Sequence, residues 1–519
     1  MDTASWAEVH AEARGMAGLL QRNGLRPGTA VGLLGATTRT LVTAIQAVWL
    51  AGGSVTVLTP VLRPGTLGEH YREAVSAARL EMLLVCPPLV TDETDVAGAR
   101  LMVLDDTLGA GCCDSLFIQP RLSSHDVAVR QFTSGSTSAP KAVQITHGNL
   151  FANITAIKKA TRHEEAHRCL VSWLPLFHDM GLVGFVALPM TCGGCGVVLH
   201  SPEQFLACPQ TWLESVSSYR ATATAAPNFA FGLAGRMLPS SSDLDLSSLM
   251  VVLNGGEPID TGVVQRFSQT TRGLGFNPST IVCGYGMAEA TLAVSLVPMG
   301  RGLTYTSFDA ASIEIDQHAR ITDGRNRVLR LPLLGPPLPG VEVRVVDPES
   351  GQVLNGKRVG ELQVRGDSVA DTYVGEPDPD AFHDGWFRSG DLGLLTDGEI
   401  VVCGRRKEVV IIGGRNIFPY EAERAACRVP GIRPGRVAAF RGTAEGGETL
   451  LIAVESREGD IPQLRRNIAR EVLDQVGVRP GEVVVLPPGT LPKTTSGKMR
   501  RGEVRRRFLT GELLPGAVR

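Results

Sequence analysis

Hydrophobic positions along the first 330 residues follow two spacings in turn. Apolar side chains three or four positions apart predict helices at Ala7–Leu20 and Leu41–Leu50, and the apolar run Ala30–Leu34 between them predicts a buried strand. The same patterns predict later strands at Cys169–Leu174, Val197–His200, Ala221–Ala225, Met250–Leu253 and Thr280–Cys283, and helices at Gln210–Arg220 and Asn228–Met237. Strands that alternate with helices form mostly parallel sheets covered on both faces.

The pattern changes in the rest of the chain. Between residues 331 and 403, Gly, Pro and Asp turns separate short predicted strands, which is typical of a small β-barrel: Val341–Val346, Gly360–Val364 and Glu399–Val402. From Gly404 onward an α+β region is predicted, with strands Arg436–Phe440 and Leu450–Glu455 and helices Ile461–Gln475 and Lys498–Leu513. The predicted fold class is α/β: a large N-terminal domain of mostly parallel sheets flanked by helices, a small β-barrel subdomain, and an α+β C-terminal domain.

Length and composition narrow the class of protein. The 519 residues exceed one ordinary domain, and 43% apolar with 20% charged residues is typical of a soluble globular protein with a sizeable core. A net charge of −2 argues against nucleic acid as a partner. We found no signal peptide pattern and no apolar run long enough to span a bilayer, so a cytoplasmic protein without a membrane span is expected.

The ten cysteines fit reduced thiols in that compartment. Cys192 and Cys195 have the spacing of metal ligands, but neither a second pair nor a histidine cluster accompanies them. A glycine-rich turn is therefore favoured over a metal or redox site.

The segment Gln131–Leu150 carries the first candidate chemistry. Four hydroxyl side chains surround a glycine, and a lysine follows a proline: Thr133, Ser134, Gly135, Ser136, Thr137 and Lys141. A strand, a loop rich in hydroxyls and glycine, and a helix capped by Thr146 would offer backbone N–H groups, side-chain donors and one cation to a polyphosphate. The Walker spacing is absent, and a flexible polar turn is the alternative.

Further motifs follow in a fixed order: Tyr285–Glu289, Ser389–Asp391, Gly404–Lys407 and Pro492–Lys498. Together with the opening loop they resemble the core motifs of the adenylate-forming enzymes, namely acyl-CoA synthetases, peptide-synthetase adenylation domains and firefly luciferase. The resemblance covers nearly the whole chain, which makes it far more specific than any single motif.

Within that superfamily the chain is most similar to the fatty acyl-AMP ligases. Three passages carry this likeness: Ser172–Leu182, Ala226–Ala230 and Tyr285–Leu292. In addition, Val297–Leu334 resembles a somewhat short version of the insertion that distinguishes these ligases from CoA synthetases.

The resemblance implies a set of site residues and two cofactors, ATP and Mg²⁺. Lys498 would be catalytic and bridge the substrate carboxylate and the α-phosphate, Glu289 would be catalytic and hold Mg²⁺, and His178 would lie near the substrate carboxylate. The nucleotide would be bound by Thr133, Ser134, Gly135, Ser136, Thr137, Lys141, Gly255, Gly256, Glu257, Tyr285, Gly286, Met287, Ala288, Asp391 and Arg405. Tyr285 would stack on adenine and Asp391 would accept the ribose hydroxyls. Trp173, Asn228 and Phe229 are candidates for the acyl pocket.

Most of these residues also have purely structural interpretations. A carboxylate such as Glu289 could hold a loop, Asp391 could cap a turn, Tyr285 could be a core aromatic, and His178 could be a satisfied core histidine. The resemblance also implies a domain plan: residues 1–403 as the adenylation domain, with the β-barrel at 331–403, 404–407 as a hinge that includes Lys407, and 408–519 as a mobile domain that carries Lys498.

The chain departs from the family pattern at two positions in particular. Ala142 follows Pro140–Lys141 where the family has glycine, and a positive φ there would be strained. Ala288 stands where most relatives outside the acyl-AMP ligases have a phosphate-contacting threonine. These changes leave open an enzyme specialised for one half-reaction.

The leading functional hypothesis is activation of an apolar carboxylic acid to acyl-AMP, with transfer to the phosphopantetheine thiol of a carrier protein. The nearest alternative is an acyl-CoA ligase that uses the same adenylate. An amino-acid-activating domain would need an acid for the substrate ammonium, for which Asp179 is a candidate without family support. A penicillin-interactive serine acyltransferase would need a Lys-Thr-Gly motif, and this chain has Lys493-Thr494-Thr495 instead. A nucleotide-binding module without activity would be expected to lose Lys498 or Glu289.

Overall fold

The protein, described here from a computed structural model, has the predicted α/β class. The structure describes residues 2–60, 66–87, 89, 95–104, 117–133, 141–166, 168–238, 243–324, 326–375, 378–444, 447–493 and 497–513. Ser134, Gly135, Ser136 and Thr137 therefore lie outside the described residues. Among the described residues, no helix is both long enough and apolar enough to cross a membrane.

The α-helices of the described chain are α1 (Trp6–Arg22), α2 (Arg39–Leu50), α3 (Leu67–Ala77), α4 (His147–Ala160), α5 (His163–Ala166), α6 (Asp179–Leu182), α7 (Leu188–Met190), α8 (Pro202–Ala207), α9 (Gln210–Ser218), α10 (Asn228–Met237), α11 (Thr261–Thr271), α12 (Ala310–Glu314), α13 (Pro419–Ala426), α14 (Ile461–Val476) and α15 (Arg501–Leu509). A π-helical turn, Val183–Ala187, joins α6 to α7. Short 3₁₀ turns occur at Arg272–Leu274, Pro278–Thr280, Ala288–Ala290 and Arg406–Glu408. Thr146 caps α4 as predicted, because its side chain accepts from the Asn149 N–H.

The first sheet has seven strands in the order β4-β5-β3-β1-β2-β6-β7. Their bounds are β1 (Ala30–Leu34), β2 (Ser54–Leu58), β3 (Met82–Val85), β4 (Asp95–Val96), β5 (Ala99–Val103), β6 (Val127–Phe132) and β7 (Ala142–Thr146). The central pairs are parallel, and β1 and β2 are buried along their whole length. Buried β-branched and leucine runs are typical of a sheet covered on both faces.

The second sheet has six strands in the order β13-β12-β11-β10-β8-β9. Their bounds are β8 (Cys169–Ser172), β9 (Gly196–Leu199), β10 (Ala223–Ala226), β11 (Val251–Asn254), β12 (Ile281–Gly286) and β13 (Ala293–Leu296). All pairs are parallel except β12 with β13. The predicted strand Cys169–Leu174 is two residues too long, because the Leu174 N–H donates to the Ser172 hydroxyl rather than to a neighbouring strand.

The short strands predicted after residue 331 form an antiparallel, curled sheet. Its strands are β16 (Val341–Val346), β17 (Gly360–Gly366), β18 (Phe382–His383), β19 (Trp386–Thr396) and β20 (Glu399–Arg405), in the order β16-β17-β19-β18 with β20 also paired to β19. Before it, β14 (Tyr305–Asp309) and β15 (Val328–Pro332) form an antiparallel pair within the insertion segment.

The C-terminal part has its own hydrophobic cluster. It contains the pair β21 (Val410–Ile412) and β22 (Arg415–Ile417), and the sheet β23 (Val437–Ala444), β24 (Gly447–Glu455) and β25 (Glu482–Leu486). The predicted final helix was wrong at both ends: α15 spans Arg501–Leu509 and does not include Lys498. Gly497 has a φ of +85°, and Met499 pairs with Lys493, so a turn precedes the helix.

Asn153 joins helix α4 to the edge strand of the second sheet. The side chain is fully buried, and its Nδ2 donates to the Ala293 carbonyl at 2.8 Å while its Oδ1 accepts from the Ala293 N–H at 3.1 Å. The amide thus satisfies both backbone groups of a residue at the start of β13. Polar groups buried at a sheet edge need such partners.

Replacing Asn153 by leucine is expected to lower the free energy of unfolding by about 3 kcal/mol, because two buried backbone groups lose their partners. A lower midpoint in urea unfolding checks this. Phe151, on the same helix, is 70% exposed. Phe151→Ala is the control and should change stability by less than about 0.5 kcal/mol. Equal effects of the two substitutions would contradict the role of Asn153.

Candidate active site

A cavity of about 1210 Å³ lies where the two large sheets meet the C-terminal part. Residues from motifs far apart in the chain form its wall. The predicted site residues on this wall are Thr133, Lys141, His178, Gly255, Gly256, Tyr285, Gly286, Met287, Ala288, Glu289, Arg405, Lys407 and Lys498. The carboxyl ends of parallel strands meet at one edge of a sheet, and ligands bind in that crevice.

Lys498 reaches the cavity from the C-terminal part. Its Nζ lies 3.2 Å from His178 Nε2. Gly256 has a φ of +79°, and a Cβ placed on it would lie 3.9 Å from the same Nζ. Burial lowers the pKa of the Lys498 ammonium, while the charges of Asp179 and Glu257 oppose that shift. The geometry places one cation deep in the cavity, beside a backbone without side-chain bulk.

His178 and Asp179 form a pair behind this lysine. His178 Nδ1 lies 2.6 Å from Asp179 Oδ1, which also accepts from the Met180 N–H at 2.6 Å. Burial opposes ionisation of Asp179, but His178 and Lys498 hold the pKa of that carboxyl below its usual value. We assign the ring proton to Nδ1, so that Nδ1 donates to Asp179 and Nε2 accepts from Lys498. Sequence reasoning gave Asp179 no such part, although its position next to His178 was a signal.

Asp391 is not among the described residues that line the cavity, but it holds two residues that do. Its Oδ2 accepts from the Tyr285 hydroxyl at 2.7 Å, and its Oδ1 lies 2.8 Å from Arg405 Nε. Asp391 and Arg405 are direct partners in the β19–β20 register. Burial raises the pKa of Asp391 and Arg405 opposes this, whereas Asp391 raises the pKa of Arg405 itself. The tyrosine ring is thus fixed on the cavity wall by its own hydroxyl.

Glu289 also faces the cavity. The Tyr373 hydroxyl donates to its Oε1 at 2.9 Å, and burial raises the pKa of the Glu289 carboxyl. Among the described residues, no cluster of three His, Cys, Asp or Glu side chains could hold a metal ion. A single carboxylate still fits Mg²⁺, because this ion keeps several waters and binds through one or two carboxylates plus substrate phosphates.

The loop predicted to bind a polyphosphate is described only at its two ends. Thr133 and Lys141 line the cavity, and Lys141 Nζ lies 2.8 Å from Asp378 and 5.0 Å from the Tyr373 ring centre. Ala142 lies in β7, paired with Phe132, and does not have a positive φ. The strain considered for alanine at this position therefore does not arise.

The backbone of the Tyr285–Glu289 motif is fixed by close packing. A Cβ on Gly286 would lie 2.0 Å from the Leu292 carbonyl oxygen, so only glycine allows β12 to approach β13 here. Glu257 does not line the cavity; its Oε1 accepts from the Phe229 N–H at 2.6 Å, and burial raises the pKa of the carboxyl. It supports the start of α10 rather than the cavity wall.

The three acyl-pocket candidates lie beside the cavity and do not line it. Trp173 is 4% exposed and stacks on Phe205 with ring centres 3.7 Å apart. The Phe229 ring lies 3.4 Å from where a Cβ of Gly497 would be, and Asn228 accepts from Asn254. The aromatic cluster therefore supports the turn that precedes Lys498.

The apolar wall of the cavity comes from residues that sequence reasoning missed. Alternate positions of two neighbouring strands share one face, and they are in register: Ala223 with Val251, and Ala225 with Leu253. The facing side includes Ile157, Phe185 and Leu188. Small alanines in β10 were a signal, since they leave room above the sheet.

This fold and site define a class of protein, the adenylate-forming enzymes. The chain belongs to the family of AMP-binding enzymes, whose family model matches residues 2–374. It is an adenylate-forming acyl ligase, related to the fatty acyl-AMP ligases and acyl-CoA synthetases. The confirmed fold and family agree with the resemblance of the motifs.

Individual relatives are similar over most of the chain. A Mycobacterium tuberculosis protein described provisionally as a ligase is 38% identical, with 96% of this chain and 93% of that protein covered. A medium-chain-fatty-acid–[acyl-carrier-protein] ligase of Moorena producens is 34% identical over 76% of this chain and 70% of its own. A solved structure from work on the fatty acyl-adenylate ligases of E. coli and L. pneumophila is 29% identical with a TM-score of 0.89, covering 99% of this chain and 94% of that one.

The lowered pKa of Lys498 leads to a prediction for pH dependence. The family resemblance assigns the Lys498 ammonium to two anions, a role that requires its charge, so we expect activity to fall as pH rises through its pKa. Because burial lowers that pKa, the fall should begin below the ordinary lysine value of about 10.4. The profile of kcat/KM for acyl-AMP formation checks this, since it reports groups of the free enzyme.

The control for this profile is Lys498→Ala. It should reduce acyl-AMP formation by about a hundredfold or more and remove the basic limb from the residual activity. A basic limb that persists in this variant would assign the titration to another group.

Proposed function

We propose that this protein converts a fatty or similarly apolar carboxylic acid and ATP to acyl-AMP and pyrophosphate, and then transfers the acyl group to the phosphopantetheine thiol of a carrier protein. The observation that carries the proposal is the position of Lys498. Its ammonium lies beside His178 on the wall of the cavity. One part of that wall carries the polar residues predicted to bind the nucleotide, and another part is apolar. A fatty acid has a carboxylate at one end and an apolar chain behind it, so it needs an anion site that adjoins an apolar site.

In the first step, a carboxylate oxygen attacks the α-phosphorus in line, the new O–P bond forms, and the bond to pyrophosphate breaks. Catalysis of this kind depends on positioning and on neutralising charge. The Lys498 ammonium would contact both the carboxylate and the α-phosphate. His178, held by Asp179, would keep the ammonium oriented, since it accepts one of its N–H groups.

The nucleotide would lie along the Tyr285–Asp391–Arg405 group. The hydroxyl of Tyr285 is tied to Asp391, which supports a ring face directed at adenine. Asp391 retains further lone pairs for the ribose hydroxyls. Arg405 would add positive charge near the phosphates or ribose.

Mg²⁺ would be held by Glu289 together with phosphate oxygens, with waters completing its shell. When bound, the ion supplies charge that offsets the developing charge on pyrophosphate. Tyr373 would orient the Glu289 carboxylate, because its hydroxyl donates to Glu289 Oε1. Thr133 and Lys141 would contact the phosphates from the opposite side.

The acyl chain would run over the alanine and aliphatic positions of β10 and β11. These side chains offer no hydrogen-bond partner, so the channel favours a hydrocarbon over an amino acid. Asp179 is engaged by His178, which argues against its use as a partner for a substrate ammonium. Trp173 and Phe229 would then not contact the acyl chain. They would support the Gly497 turn that precedes Lys498.

In the second step, a thiolate attacks the acyl carbonyl, the new S–C bond forms, and AMP leaves with the electron pair of its C–O bond. The carrier-protein acceptor is supported by the similarity to the carrier-protein ligase of Moorena producens. We further propose the domain plan of residues 1–403, a hinge at 404–407 including Lys407, and 408–519 as the unit that moves between the steps. Glu408, the first residue of that unit, lies 3.0 Å from Arg501, so the contact holds the start of the unit to its last helix.

The insertion segment supports the carrier over CoA. Glu314, at the end of α12, is 2% exposed and lies 2.8 Å from Arg415 of the C-terminal part, and it also pairs with Arg327 of the insertion itself. Phe308 and Ile313 of the insertion share a hydrophobic cluster with Phe418. These contacts would restrict the rotation that CoA transfer requires.

The test of the function is incubation with ATP, Mg²⁺ and a panel of fatty, aryl and amino acids, with acyl-AMP and thioesters measured by mass spectrometry. CoA and a phosphopantetheinylated carrier protein are supplied in separate reactions. We expect acyl-AMP from fatty acids and its transfer to the carrier, with both lost in Lys498→Ala. Efficient acyl-CoA formation would replace the carrier by CoA, and adenylates of amino acids alone would overturn the proposal.

Arg415→Met tests the role of the insertion. It removes the contact to Glu314 but leaves that carboxylate its partner Arg327. We expect more acyl-CoA relative to acyl-AMP, because the C-terminal part becomes free to rotate, with the adenylation rate unchanged. Arg220→Met, which removes an exposed ion pair to Asp245, is the matched control. A variant with the same product ratio as the control would show that this contact does not select the acceptor.

A further inference from the structure

A wide helical turn forms one side of the apolar channel. Between α6 and α7, the Leu188 N–H donates to the Val183 carbonyl five residues back, which is the bond of a π-helix. Pro189 explains part of this geometry, since it has no N–H to return to Phe185 and its ring crowds that carbonyl. π-helical turns within α-helices occur frequently at functional sites.

Gly184 is the residue of this turn that opens onto the channel. It is partly accessible, whereas its neighbours Val183 and Phe185 are buried, and it lines the cavity. Outside its own helix, a Cβ placed there would meet a single heavy atom within 4 Å, Leu292 Cδ2 at 3.7 Å. The position therefore has room for a side chain, and the chain has none there.

Close packing explains why a nearby residue, Gly181, is a glycine. A Cβ on Gly181 would lie 2.2 Å from the Pro175 carbonyl oxygen, so close packing excludes any side chain. No such contact excludes a side chain at Gly184, and its φ is not positive. Neither packing nor backbone conformation accounts for glycine at this position, but an occupant of the cavity would.

The channel has a length that can be estimated from the strand below it. Gly255 directly precedes Gly256, the glycine that lies beside the Lys498 ammonium. From Gly255 back to Val251, the backbone advances about 13 Å at the usual rise of a strand. Both ends of this path line the cavity. A zigzag chain with C–C bonds of about 1.5 Å needs roughly ten carbons to cover that length.

We propose that Gly184 is a specificity-determining residue: its missing side chain lets an unbranched acyl chain of about ten or more carbons pass between the wide turn and the sheet. This inference rests on the proposed function. Larger residues at position 184 would shorten the channel and select short acids without disturbing the nucleotide or Lys498.

The test compares kcat/KM for acyl-AMP formation from hexanoate and dodecanoate in the parent enzyme, Gly184→Ala and Gly184→Leu. For Gly184→Leu we expect a roughly hundredfold loss with dodecanoate and a change within about threefold with hexanoate. Gly184→Ala should lie between the parent and Gly184→Leu. The matched control is Gly193→Leu, the same change at an exposed glycine with no atom within 4 Å of its Cβ.

A rescue variant separates specificity from a folding defect. Leu292→Ala removes the atom that a Cβ at position 184 would meet, so combining it with Gly184→Leu should restore part of the dodecanoate activity. Equal losses for both acids, or unchanged use of dodecanoate, would overturn the inference. A parent enzyme that prefers hexanoate would overturn it while the proposed function stands, and a parent that forms no adenylate from any acid would overturn both.

Discussion

The half-buried ammonium of Lys498 is the group around which the candidate site is arranged. A cation removed from water is costly unless it has polar and anionic neighbours. Here His178 accepts from it, and Asp179 and Glu257 oppose the loss of its charge. The lysine comes from one end of the chain and its neighbours from the other parts, so the C-terminal unit must dock in this orientation for the group to form.

The second sheet and the curled sheet each supply a fixed element to this arrangement. The parallel register of β10 and β11 places Ala225 beside Leu253 as a smooth apolar floor. The antiparallel register of β19 and β20 places Asp391 beside Arg405, and Tyr285 reaches the same carboxylate from the second sheet. Strands hold such groups more rigidly than loops do, which suits a reaction that depends on positioning.

The same docking explains how the insertion segment could influence the second step. Glu314 and the apolar residues around Phe308 contact the C-terminal unit in the conformation that brings Lys498 into the cavity. Under the proposed function, a C-terminal unit that rotates for thiol transfer would break these contacts. The insertion would then contribute to the free energy that governs the choice of acceptor.

The sequence alone determined the fold class, the family and most residues of the polar wall. Helix α10 and strand β1 have the predicted bounds, because periodic apolar positions act locally. Only the tertiary structure decided the apolar wall of the cavity. Ala223, Val251 and Gly184 look like ordinary core positions, and Trp173 and Phe229 look like pocket residues, until packing shows which of them face empty space. An apolar residue gives the same sequence pattern whether its side chain packs against another side chain or lines a cavity. Residues distant in the chain decide which of the two occurs.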